Sequence, residues 1–444
     1  MATFELEIIG GGLAGCEAAW RAASHGLKVR LWEMKPQQFS PAHTSDDLAE
    51  LVCSNSFRAT RPESAVGLLK EEMRRLGSLI MLSADKTQVR AGGALAVDRF
   101  LFSRAVTQAI EEQPLIELVR SEVVTWPAGS APVVVAGGPL ASEELTRLLT
   151  VLIERPHLYF YDALAPIVTY DSLDLSRLYS ANRYQQGDGD YLNCPFTHEE
   201  FDFFLAALLA ADRVTPRPFE EDRFFEGCLP IEVMAQRGAQ TLLFGPMKPV
   251  GLENPETGRR FYAVAQLRRE NEAGTLWNIV GFQTRLTRSF QKKVFHLIPG
   301  LAQAKFARFG AIHRNTYLNA PQVLDKFQRL KGMERFFIAG QLSGVEGYVE
   351  SAASGLWVGE NAARAARGLP LSTPPPSTAL GALLTHLQRG VGRKYFAPSN
   401  INFGLFAPSP PSLLKNNRSS WLLETARLDF ISFLAEISKI WYNN

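Results

Sequence analysis

The chain has 444 residues, 46% of them hydrophobic and 21% charged, with a net charge of +2. That length suits two or three domains of ~100–200 residues each, and the composition excludes wholesale disorder. So small a charge also excludes a uniformly basic nucleic-acid binder, because any such partner must meet a local concentration of Lys and Arg.

Phe4 to Ile9 alternates and then turns apolar, which predicts a buried strand. Gly10, Gly12 and Gly15 follow as GxGxxG, and Ala14 to Ser24 is rich in helix formers, ended by Gly26. Lys28 to Trp32 reads as the next strand and closes on Glu33. In this context the glycines suit a dinucleotide. Gly10 allows the tight turn, Gly12 lets backbone N–H groups approach a pyrophosphate, and Gly15 lets helix and strand pack closely. Glu33 can accept hydrogen bonds from an adenosine ribose, which favours FAD or NAD over NADP. An ordinary strand–helix turn is the plainer alternative.

Cys53 follows this unit in Cys53-Ser54-Asn55-Ser56-Phe57, a polar setting for a thiol. A thiolate is a strong, tunable nucleophile, although most lone cysteines are small buried hydrophobes. Val133 to Ala136 is a further short strand ending in Gly137-Gly138. From Leu145 to Gly300 no dinucleotide-type repeat recurs, and this stretch, rich in Tyr, Phe and paired charges, reads as an insertion carrying substrate contacts. Charge within it is uneven. Gln186 to Glu232 holds eleven acidic residues and three Arg, whereas Gly251 to Asn315 holds eleven Lys or Arg and four Glu. That pattern suits a phosphate-facing surface beside an acidic one, or two solvated faces that merely differ.

Cys228 stands between Gly227 and Pro230, which suggests a tight exposed turn, with Glu226 and Glu232 as candidate proton-transfer groups. Cys16 and Cys194 read as structural. Phe336 to Ala339 forms a late strand, and Gly340, Gly344, Gly347 and Gly355 run from its end into a helix with Glu346, Glu350 and Ser351. In two-segment flavoproteins such a unit closes over the flavin, its helix N-terminus stabilising negative charge on the ring. This favours FAD over NAD. A proline-rich linker, Pro370 to Pro376, precedes a C-terminal piece without a clear element.

The expected fold is α/β: a Rossmann-type, two-segment, glutathione-reductase-like FAD-binding domain interrupted by an α/β insertion domain. Residues 1–145 and 306–370 form the FAD-binding segments, 146–305 the insertion, and 371–444 the linker and C-terminal segment. The four cysteines show no zinc-ligand spacing and are too few for a disulfide framework. No basic leader and no apolar run of ~18 residues is present. A reduced, cytoplasmic setting without a metal is expected.

Several irregular strings resemble the folate- and FAD-dependent tRNA uracil-5-methyltransferase family. They are Gly10 to Glu17, Pro41-Ala42-His43, Glu50 to Ser56, Phe225 to Gly238, Phe244 to Leu252, His313 to Pro321 and Gly340 to Gly355, collinear to about Pro408. The resemblance implies uridine 54 of the tRNA T arm as substrate, methylenetetrahydrofolate as carbon donor, FAD as carrier, NADPH or NADH as reductant, and a bacterial cytoplasm. It also places Cys53 and Cys228 where the family keeps two functional cysteines. Cys228 is then the group that adds to uracil C6 and Cys53 assists near the flavin, or the two roles are reversed. His313 is a candidate for stacking on the folate pterin, or a structural histidine, and Tyr348 a candidate substrate contact. Arg285, Arg288, Lys292 and Lys293 interleave with Phe290 as a phosphate-binding stretch, or as an ordinary amphipathic face. The family more often carries His at position 285 and Glu at 290. Alternatives are the same chemistry on ribosomal RNA, the longer flavoprotein that modifies the tRNA wobble uridine, a small-molecule flavin oxidoreductase, and a catalytically silent RNA-binding flavoprotein.

Overall fold

The run Leu6–Ile9, buried throughout including Glu7, becomes a central strand with a neighbour on each side, because four consecutive buried residues can satisfy their backbone only inside a sheet. In the computed structural model, residues 4–153, 158–184, 189–214, 229–389, 396–410 and 418–442 are described. The sheet has six strands in the order Arg329–Leu330, Met333–Ile338, Val133–Val135, Leu6–Ile9, Val29–Glu33, Ile116–Arg120. All neighbours run parallel except the short edge strand Arg329–Leu330. Met333–Ile338 pairs with Val133–Val135, so two distant stretches of chain complete one sheet.

The helix Leu13–Ser24 packs along the helix Tyr348–Ala366. Glycines set that closeness: a Cβ on Gly355 would stand 2.1 Å from Ala14 O, and one on Gly359 2.6 Å from Ala18 Cα. Any larger residue forces the two helices apart.

The insertion builds its own sheet, antiparallel throughout. Its order is Tyr179–Ser180, Tyr191–Phe196, Ala263–Arg269, Leu276–Ile279, Ile167–Thr169, Phe306–Arg308. A separate core of Phe196, Phe201, Phe204, Phe282 and Phe295 holds helices His198–Ala210 and Arg288–Phe295 against it. A two-stranded ribbon, Leu158–Ala163 with Ile312–Tyr317, joins this unit to the first. Phe306–Arg308 therefore pairs inside the insertion, and the chain returns only after Tyr317, later than a boundary at residue 306.

The residues beyond 370, read as a linker and a C-terminal piece without a clear element, include two helices. Helix Ala379–His386 is held at its N-terminus by Glu72, whose carboxylate accepts from Ala379 N at 2.8 Å and Leu380 N at 2.7 Å. Helix Arg418–Tyr442 seats Leu423, Ala426, Phe430, Phe433 and Ile437 on the first core. Near its end Trp441 stacks on His25 at 3.8 Å and donates to Glu360 at 2.8 Å. Among the described residues no helix is long and apolar enough to cross a membrane.

Candidate active site

The two glycine-rich turns meet at one cavity of about 440 Å³. Gly10 has φ +106°, and a Cβ there would lie 2.5 Å from Ala136 O; a Cβ on Gly15 would lie 1.8 Å from Gly10 O. Both positions are closed to any side chain. Gly12 differs, since a Cβ there would meet nothing within 4 Å and would project into open space. Gly12 caps the helix Leu13–Ser24 without a side-chain hydrogen bond, which leaves first-turn N–H groups without a capping side chain. Glu33 Oε2 accepts from Gly11 N at 2.8 Å and Oε1 from Lys35 N at 2.9 Å, so the acid is fixed beside the turn.

The second unit repeats the device. Gly347, φ +106°, caps the helix Tyr348–Ala366 without a side-chain bond, and Gly340 and Gly347 line the same cavity. Gly344, φ +94°, serves the turn instead: its open side faces the ring of Phe396, and it is absent from the cavity wall. A fixed acid, an open glycine face and two helix N-termini aimed at one space fit a dinucleotide with a ring that carries negative charge. These residues fit FAD.

Cys53, half-buried, stands in the cavity wall. The hydroxyl of Tyr348 accepts from Cys53 N at 2.7 Å and from Ser54 N at 3.1 Å, joining the thiol's loop to the second helix. Burial first, and the neighbouring Cys53 next, push that hydroxyl above its ordinary titration range. Arg268, from the insertion's sheet, donates to Asn55 Oδ1 at 3.1 Å and Ser54 Oγ at 2.8 Å while lining the cavity. Arg58 also lines it and pairs with the buried Glu350, whose carboxyl is pushed up by burial. Three regions of the chain thus converge on Cys53.

Cys228 lies outside the described residues, as does Glu226. The chain resumes at Leu229, and Ile231 N donates at 2.7 Å to Gln283 O, a residue of the cavity wall. Glu232 is buried; it accepts from Thr284 Oγ1 at 2.8 Å and Arg285 N at 2.9 Å, and it lies off the cavity wall. His313 occupies the strand Ile312–Tyr317, two positions before the wall residue Asn315.

Arg285 departs from the expected surface contact: it is buried, with its guanidinium 3.9 Å from Glu232. Arg288, Lys292 and Lys293 are exposed on one short helix, the first two flanking the Phe309 ring and Lys293 above Phe290. They keep the charge of a phosphate-facing strip but stand off the cavity wall. Sequence reasoning missed Arg58, Arg268, Gln283, Asn315 and Asn400, all in the wall. The one local signal was Arg268 itself, a charge on the strand Ala263–Arg269 that proves buried.

Residues 5–370 match the family model described as glucose inhibited division protein A. The chain is 56% identical, over 98% of its length and all of the relative's, to the methylenetetrahydrofolate--tRNA-(uracil-5-)-methyltransferase TrmFO of Geobacter sulfurreducens. The chain belongs to this methyltransferase family. Identity to the family's Desulforudis audaxviator member is 54%, over 91% of each chain. The family's fold is shared more widely: GidA of Aquifex aeolicus superposes with a TM-score of 0.71 at 17% identity, covering 98% of this chain and 74% of that one.

Proposed function

We propose that this chain methylates C5 of a uridine in tRNA, with methylenetetrahydrofolate as carbon donor and FAD as its bound cofactor. The observation that carries the reading is a single cavity whose wall holds both uncapped helix N-termini and Cys53, in a chain 56% identical to a named enzyme of that activity. FAD, when bound, supplies the redox chemistry that turns the donated methylene unit into a methyl group, with NADPH or NADH as the external reductant.

The chain's own residues do the rest. Gly10 to Gly12 and the helix behind them hold the pyrophosphate, and Glu33 holds the ribose. The helix behind Gly347 places its N-terminal N–H groups toward the ring, where they favour negative charge. Uracil C5 is a poor nucleophile until sulfur adds at C6, and we assign that addition to Cys228. Loss of the C5 proton later expels the sulfur. Glu232 is a poor base for that step, since its carboxylate is buried and engaged by Thr284 and Arg285. Cys53, fixed by Tyr348, assists beside the cofactor; Tyr348 and Arg268 close the wall around the incoming base. His313 is assigned to the folate pterin, and Arg288, Lys292 and Lys293 to RNA phosphates. The T arm with uridine 54 is the RNA we assign, and a bacterial cytoplasm the setting.

The test mixes FAD-loaded protein, labelled methylenetetrahydrofolate and NADPH with a T-arm hairpin. Label should enter the hairpin and vanish when uridine 54 is replaced by cytidine. With 5-fluorouridine at that position fluorine replaces the C5 proton that must be lost, so a covalent adduct should persist and map to Cys228. RNA that binds yet yields neither label nor adduct defeats the reading. Label in a ribosomal fragment but not in the hairpin would reassign the RNA alone.

A further inference from the structure

The loop carrying Cys53 is gripped from behind by two arginines that the mechanism above leaves unused. Three consecutive carbonyls, of Leu51, Val52 and Cys53, each accept from a guanidinium. Arg99 Nη1 donates to Leu51 O, while Arg308 donates to Val52 O at 3.0 Å and to Cys53 O at 3.4 Å. Arg99 comes from the helix Arg99–Glu111 of the first domain, and Arg308 from the insertion's edge strand. Arg99 is itself held by Glu270, at 2.8 Å, with both side chains buried.

The charges do not balance. Arg99, Arg268 and Arg308 all touch residues 51–55, and among these three the carboxylate of Glu270 is paired with Arg99 alone. Arg308 Nε and Glu270 Oε1 are buried without a hydrogen-bond partner among the described residues. Burying guanidinium groups without full pairing is costly, so such clusters persist where the charge serves a site. A planar fork that bonds two successive carbonyls fixes the peptide plane between them with rigidly paired donors, whereas a lysine's ammonium, even where it reaches successive carbonyls as Lys70 does, turns freely on a flexible stem. That plane joins Val52 to Cys53.

We propose that Arg308, backed by Arg99, is a positioning residue for Cys53: its grip on the Val52 and Cys53 carbonyls sets where the sulfur stands in the cavity and keeps positive charge beside it. Positive charge near a reacting sulfur stabilises the negative charge that develops there. The inference rests on the reading that Cys53 takes part in methyl transfer.

The test compares Arg308→Ala and Arg308→Lys with wild type as full-length, FAD-loaded protein. Methylation of the T-arm hairpin and alkylation of Cys53 by iodoacetamide, read by peptide mass spectrometry, are measured side by side. Displacing a reacting group by about 1 Å costs on the order of 100-fold, so kcat for Arg308→Ala should fall about that much while KM for RNA stays within about twofold. Alkylation of Cys53 should slow at least about fivefold, with FAD content unchanged and Cys16 and Cys194 still unlabelled. Arg308→Lys should fall between the two, and added guanidinium ion should restore part of both readouts in Arg308→Ala alone.

Wild-type labelling and turnover in Arg308→Ala overturn the proposal. So does an Arg308→Lys protein indistinguishable from wild type, which would leave the two-carbonyl grip without a role. Loss of FAD together with new labelling at Cys16 or Cys194 would show a merely structural part, and if Arg308→Ala fails to fold, Arg308→Lys carries the comparison. Cys53→Ala separates the two claims: full activity there removes Cys53 from the reaction, whereas slowed labelling in Arg308→Ala upholds the grip regardless.

Discussion

Gly12 and Gly15 lie three residues apart in one motif, yet their replacement by alanine should fail in opposite ways. At Gly12 the backbone is extended, φ −79° and ψ −170°, a conformation alanine adopts freely, and its Cβ would meet nothing in the protein within 4 Å. The apo fold should therefore lose at most about 1 kcal/mol, the usual cost of alanine at a helix cap. That Cβ would, however, occupy space in front of the N–H groups assigned to the pyrophosphate. A hydrogen bond to a charged group contributes about 1.5–3 kcal/mol, so losing one weakens FAD binding by roughly 10- to 150-fold. At Gly15 the added Cβ would stand 1.8 Å from Gly10 O, and the helix must move off the strand; about 3 kcal/mol of stability should go with it. Apo protein titrated with FAD by fluorescence quenching, with thermal melts before and after, separates the two. Gly12→Ala should melt like wild type when apo but gain little from added FAD, and Gly15→Ala should melt early in both states. If Gly12→Ala binds FAD as tightly as wild type, the cofactor does not pass over this turn and the site is misassigned.

Burial pushes the Glu17 carboxyl up to about 7 and Glu72 up to about 8, from an ordinary 4.5. Each then holds a proton in the fold that the unfolded chain releases above about pH 4.5, so stability is full below that value and is lost as pH rises toward 7 and 8. Melting temperature should fall between pH 5 and pH 8, with each group contributing up to about 1.4 kcal/mol per pH unit. Glu17→Gln and Glu72→Gln should each flatten the curve, and an unchanged slope in both would refute the assignment. Trp441→Ala removes the stack on His25 and the bond to Glu360; a loss of about 2 kcal/mol is expected, with the helix Arg418–Tyr442 released early in limited proteolysis. Burial also pushes the Cys16 and Cys194 thiols far up, so native protein at neutral pH should resist alkylation at both while Cys53 reacts; labelling of either before Cys53 would contradict the burial pattern.

The parts of this molecule legible in sequence are those whose cause is local. Leu6–Ile9, the glycine turn, Leu13–Ser24 and Val29–Glu33 each follow from spacing within a few residues, and the order strand, turn, helix, strand, acid is itself a local pattern. The C-terminal helix carries a local signal as well: Leu423, Ala426, Phe430, Phe433 and Ile437 fall at steps of three and four, the stripe of a helix facing a core.

What no spacing could disclose is the set of charges around Cys53. Arg99, Arg268 and Arg308 are distant in sequence, and each alone reads as a surface arginine. They meet because the insertion's sheet is laid against the loop between the first strand–helix unit and Ser56–Ala59, which only the tertiary fold decides. The insertion therefore does more than present a basic strip. It supplies two of the three guanidinium groups that reach the thiol's loop, while the second FAD-binding segment supplies Tyr348. A loop held by three distant stretches of the chain, two in the first sheet's unit and one in the insertion, keeps its geometry only while the two units stay docked. Anything that loosens the insertion should thus disturb Cys53 before it disturbs the glycine turns, which pack on the first sheet, its helices and the segment around Phe396 and Asn400.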